Sequence, residues 1–135
     1  DIAHVGRAID AATLASMHEL KTGALIGAAL HMGALLGGAS GDAFEAIDAY
    51  ARALGLAFQV QDDVLDACGN AAALGKTPGS DAAHTKPTYV TLLGENGARA
   101  FAHELCAQAL TALTPLGALA APLADIARFV VERDR

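Results

Sequence analysis

Tryptophan is absent from the 135-residue sequence, and Phe and Tyr together make up only 4% of it. The apolar stock, 53% of the chain, is instead mostly Ala and Leu with few β-branched runs, a composition that favours helices. A chain of this size hides roughly two-thirds of its unfolded surface on folding, so residues 1–135 read as one soluble, globular, all-α unit. Basic residues are also scarce. Nine Lys and Arg against 15 Asp and Glu leave a net charge of -6 and a pI near 5.1. No basic stripe runs along the chain, which argues against a nucleic-acid or anionic-membrane surface. Small anionic ligands stay open wherever a few cations converge.

Cysteine is short too. Cys68 and Cys106 follow no metal or disulfide spacing, and two cysteines fit free buried thiols in a reducing, cytoplasmic setting. The sequence opens at Asp1 with neither an initiator Met nor a basic-then-apolar leader, so a piece of a longer polypeptide is expected. Charge is missing altogether from Thr22 to Gly41, about the length of a membrane span. Six glycines and His31 interrupt that run, however, and burial inside a protein is expected in place of a span.

The periodicity predicts a helix from Ala11 to Gly37-Gly38, capped by Asp10, with Leu14, Met17, Leu25, Ala28, Met32 and Leu35 on its packed side. The pairs Gly23/Gly27 and Gly33/Gly37 would let another backbone approach closely. A second long helix is expected from Asp42 to about Cys68-Gly69. It carries one seam through Phe44, Ile47, Ala51, Leu54, Phe58 and Leu65 and another through Leu56, Val60 and Val64, and a helix apolar on more than one side is central. Gly69 to Thr88 reads as a loop with a short turn near Ala71 to Leu74, too long for a compact domain unless it is functional or disordered. Then come a short turn to Leu93, a helix from Glu95 to about Leu113, a break at Pro115 and Gly117, and a last helix from about Pro122 to Arg135.

The chemistry gathers in "GLAFQVQDDVLDACG", residues 55–69. Gln59, Asp62 and Asp66 fall at i, i+3 and i+7 on one helical face, with Asp63 about 100° round. Two carboxylates about 6 Å apart repel by about 3 kcal/mol at an effective dielectric of 20. A position in the last turns before Gly69 adds a helix-dipole penalty of ~0.3 to 1 kcal/mol each. Solvent on an acidic face would relieve this, and so would a divalent cation. An all-oxygen set one turn apart suits Mg²⁺, which keeps several waters and takes one or two carboxylates plus phosphate oxygens. Lys21, on an apolar seam, and Lys76 and Lys86, in the loop after the acids, supply the cations that a diphosphate needs beside the metal. His18, His31 and His103 lack a partner at helical spacing and read as core or surface residues, and Asp48 with Arg52 is an ordinary i, i+4 pair.

"KTGALI" at 21–26, "GLAFQVQDDVLD" at 55–66, "LGKTPGSD" at 74–81 and "KPTYVTLLG" at 86–94 resemble, in order and spacing, the C-terminal half of the bacterial trans-isoprenyl diphosphate synthases, most closely the farnesyl, geranyltranstransferase type. The resemblance covers nearly the whole chain. It implies a bundle of antiparallel helices around a deep cavity, of the isoprenoid synthase type, usually in a homodimer. It also implies prenyl transfer, in which an allylic diphosphate ionises with the help of Mg²⁺ and the double bond of isopentenyl diphosphate attacks the carbocation before a proton is lost.

By that resemblance Asp62, Asp63 and Asp66 form the second aspartate-rich motif, with Asp62 a direct Mg²⁺ ligand and the others direct or through water. Lys21 and Lys76 bind the allylic diphosphate, Thr22 and Gln59 add hydrogen bonds near it, and Lys86 and Asp81 support the site. Arg133 and Arg135 resemble the basic end that closes over isopentenyl diphosphate, and Asp1 the Asp that closes a GGQ-x-x-D segment. The family's first DD-x-x-D has no counterpart here, so these residues alone are expected to be nearly inactive, and Pro87 and Val90 depart from the usual K-x-TYP. Two other readings are a non-catalytic helical subunit of a synthase, suggested by the missing motif, and a terpene cyclase, which the KTG and GK segments disfavour.

Overall fold

The computed structural model describes residues 22–74 and 88–134, and Lys21, Lys76, Asp81, Lys86, Asp1, His18 and Arg135 lie outside them. Four α-helices are described: α1, Ala24–Leu36; α2, Asp42–Leu74; α3, Tyr89–Ala112; and α4, Ala121–Glu132, preceded by a 3-10 segment at Thr114–Ala120. No strand occurs among the described residues, as the Ala- and Leu-rich composition implies.

α2 is the central element. Ala46, Ile47, Tyr50, Ala51, Leu54, Ala57, Val60 and Val64 are all buried, on more than one side of the helix. Ala98, Ala102, Leu105, Cys106 and Ala109 of α3 and Ala127, Val130 and Val131 of α4 complete the core with them. Alanines at successive turns of α3 leave room for the larger side chains of α2, as close packing requires. Thr114–Glu132 is long and apolar enough to span a membrane, but it breaks at Gly117, where φ is 57°.

α1 ends as the sequence predicts. Gly38 takes φ 76°, donating its N–H to the Leu35 carbonyl, while that of Ala39 reaches the Ala34 carbonyl, which satisfies the last carbonyls of the helix. Its orientation differs from the expectation. Leu25, Met32 and Leu35 are 72%, 60% and 63% exposed, and the side facing the core is the one with Ile26, Leu30 and Ala34. The helix is apolar all round, so periodicity carries no signal of side; close approach at a glycine decides it. A Cβ on Gly55 of α2 would come within 3.0 Å of the Gly23 Cα, whereas Gly27 and Gly33 face open space.

α2 is also longer than predicted, running through Gly69 to Leu74. One glycine costs about 1 kcal/mol in a helix interior, too little to stop a helix held by this much packing. The acidic cluster therefore sits two turns before the helix end, and the dipole penalty expected for it largely vanishes. α3 matches the expected turn-plus-helix: Gly94 has φ 72° and ψ 166°, which kinks the helix after Leu93.

Candidate active site

The three carboxylates of α2 have three different surroundings. Asp66 is exposed, and Asp62, one turn earlier on the same face, has a side chain 45% exposed. Asp63 is buried, and its Oδ2 accepts the backbone N–H of Tyr89 at 2.8 Å. Tyr89 is the first residue of α3, so this N–H is one that the helix itself leaves unpaired, and the carboxylate also meets the positive end of the dipole. Thr88 caps the same end: its hydroxyl accepts the Thr91 N–H at 3.1 Å, while its own N–H donates to Thr91 Oγ1 at 2.9 Å. Asp63 thereby fastens the residues that follow the 75–87 segment to the helix bearing Asp62 and Asp66.

Asp62 has a cationic partner from the far end of the chain. Arg133, the C-cap of α4, donates from Nη2 to Asp62 Oδ1 at 2.5 Å and lays its guanidinium 4.3 Å from the centroid of the Phe58 ring. Gln61, buried, donates from Nε2 to the Arg133 carbonyl at 3.0 Å. Gln59 is buried as well, and Thr22 is half-buried where α1 begins. Phe58 and Asp62 stand at i, i+4, a spacing that could have disclosed a shared ligand. Nothing in the local pattern around Gln61 marks it as a partner of a residue 72 positions away.

Among the described residues no three His, Cys, Asp or Glu side chains converge on one metal position, since Asp63 turns inward to Tyr89. What faces outward is an oxygen-only pair, Asp62 and Asp66, one helical turn apart. Such a pair fits Mg²⁺, which takes one or two protein carboxylates and fills its octahedron with water and phosphate oxygens, better than it fits Zn²⁺, which prefers four N or S donors.

The remaining polar residues form separate sites. His31 Nε2 lies 2.9 Å from Asp48 Oδ1 and its ring stacks on Phe44, so its partner comes from α2 rather than from its own helix. Asp48 also pairs with Arg52, as expected. Both cysteines are free, Cys106 buried and Cys68 half-buried, with the Arg99 Nη2 3.0 Å from the Cys68 sulfur.

The family profile described as Polyprenyl synthetase matches residues 3–112. A probable farnesyl diphosphate synthase of Sinorhizobium fredii is 42% identical over 130 residues, which cover 93% of this chain and 39% of that protein. The farnesyl diphosphate synthase of Escherichia coli is 40% identical over 139 residues, covering 100% of this chain and 46% of its own length. Among solved structures, a putative farnesyl-diphosphate synthase from Marinomonas sp. MED121 superposes with a TM-score of 0.79 at 38% identity, over 98% of this chain and 44% of that one. The chain thus spans less than half the length of these relatives, and with the profile matched over most of it, it belongs to the polyprenyl synthetase family.

Proposed function

We propose that this chain is the C-terminal part of a trans-prenyltransferase that joins an allylic diphosphate to isopentenyl diphosphate, with farnesyl diphosphate the product. The observation that carries the proposal is the outward-facing Asp62/Asp66 pair on the central helix α2. The sequence similarity to farnesyl diphosphate synthases supports it.

In this reading Asp62 is a direct ligand of Mg²⁺, with Asp66 and Asp81 acting directly or through water, while Asp63, turned inward, holds the start of α3 beside them. Bound Mg²⁺ would supply Lewis-acid stabilisation of the charge that builds on a departing diphosphate. Lys21 and Lys76 bind the allylic diphosphate, Lys86 supports them, and Thr22 and Gln59 donate hydrogen bonds beside it. Donors in these roles would hold the leaving group more tightly as the C–O bond breaks than before. Arg133 belongs by resemblance to the basic end that meets isopentenyl diphosphate; its contacts give it a further task, argued below. The protein is cytoplasmic and a homodimer in this reading.

The test is diphosphate release from geranyl diphosphate and isopentenyl diphosphate with Mg²⁺, by the full-length protein that contains these residues. Release that falls about 100-fold or more in Asp62→Asn is expected, the size of losing one transition-state contact. A wild-type protein that releases nothing would sink the proposal.

A further inference from the structure

Arg133 is held by α2 at more points than a surface ion pair needs. Phe58 supports its guanidinium, Gln61 fixes its carbonyl, and Asp62 Oδ1 receives its Nη2. The Arg133 side chain is only 16% exposed, and its Nε is buried with no hydrogen-bond partner among the described residues. An exposed Arg–Asp pair gains little because ordering two long side chains offsets the attraction. Here the ring and the glutamine have already ordered the arginine, so the carboxylate is the group that gains a fixed direction.

Only one oxygen of Asp62 is used in this way. With Oδ1 held by a guanidinium, Oδ2 has no hydrogen-bond partner among the described residues and is left for another ligand on the side chain that shares a helical face with Asp66. A partner that fixes one oxygen of a ligating carboxylate and aims the other is how outer groups raise metal affinity without touching the metal.

We propose that Arg133 is a positioning residue for Asp62, aiming Oδ2 toward the divalent cation, and that this is its task ahead of any contact with isopentenyl diphosphate. The inference rests on the reading that Asp62 is a metal ligand.

The experiment measures Mn²⁺ binding to the full-length protein by electron paramagnetic resonance, with inorganic pyrophosphate as the anion. It compares wild type, R133Q, R133K, D62N and the D62N/R133Q double variant, beside the KM for isopentenyl diphosphate. Expected are a loss of Mn²⁺ affinity of about tenfold or more in R133Q, partial recovery in R133K, and no further loss when R133Q is added to D62N. Should R133Q fail to fold, R133K carries the test, since it keeps the charge and loses the planar fork and must bind Mn²⁺ more weakly than wild type. Tighter Mn²⁺ binding in either variant would overturn the proposal by making Arg133 a competitor of the cation. A raised KM with unchanged metal affinity would overturn it by assigning Arg133 to the substrate. Equal Mn²⁺ binding by wild type and D62N would remove Asp62 from the metal site, and with it both readings, whatever the Arg133 variants do.

Discussion

The Tyr50 hydroxyl donates to the Leu123 carbonyl at 2.7 Å, joining α2 to the first turn of α4 across 73 residues of sequence. Tyr50 is fully buried, so Tyr50→Phe keeps the ring packing and leaves the hydroxyl's partner short of a donor. The expected cost is about 1 to 2 kcal/mol, the range for one buried hydrogen bond. Urea unfolding of the full-length protein measures it, with an unchanged slope showing that only stability has moved.

The same burial governs alkaline stability. Burial, helped by nearby Cys106, pushes the Tyr50 phenol up from 10.0 to about 12. Burial, and then the Asp63 carboxylate, raises Tyr89 as well. Both folded-state values lie above the unfolded ones, so the native state holds these protons longer. Their stabilising contribution is complete below pH 10 and, for Tyr50, disappears as pH climbs from 10 to about 12. Unfolding free energy should fall across that window, and Tyr50→Phe should fall less steeply.

At the carboxylate cluster, Asp63→Ala and Asp63→Asn should part company. Alanine leaves the Tyr89 N–H without its acceptor, at about 1 to 3 kcal/mol, whereas the asparagine carbonyl still accepts it and should cost less. Hydrogen exchange at the Tyr89 amide would be markedly faster in the alanine variant and near wild type in the asparagine one.

Gly55→Ala should destabilise the α1–α2 contact. Alanine gains up to about 1 kcal/mol in helix propensity. The new methyl, however, lies 3.0 Å from backbone, which has no rotamer to yield. Overpacking of this kind costs about 1 to 3 kcal/mol and outweighs the gain. A lowered melting temperature is the readout; an unchanged or raised one would show that the helices separate freely.

Features that depend on neighbours in sequence are legible in the sequence itself. The start of α2 at Asp42, the glycine-terminated end of α1, the break at Gly94 and the shared face of Asp62 and Asp66 all follow from local spacing. Features set by distant partners are not. Nothing near Asp63 announces that it turns to Tyr89, 26 residues on, or that Asp62 meets Arg133, 71 residues on. The orientation of α1 was hidden for a different reason: a helix without a polar face gives no cue to the side it packs. Gly69 misled because a helix braced by α3 tolerates a residue that would end an isolated one.

Gly94 gives the molecule something like a slip joint. Upstream of it, Thr88 to Leu93 are riveted to the acidic helix through Asp63; downstream, Glu95 to Ala112 lean on the core mostly through Ala98, Ala102 and Ala109 with Leu105 among them. A shift of the long segment by a fraction of a turn is absorbed at this one residue, whose backbone can rotate where others cannot. The core can therefore be repacked over generations, or in the laboratory, while the fastening beside the carboxylates keeps its alignment.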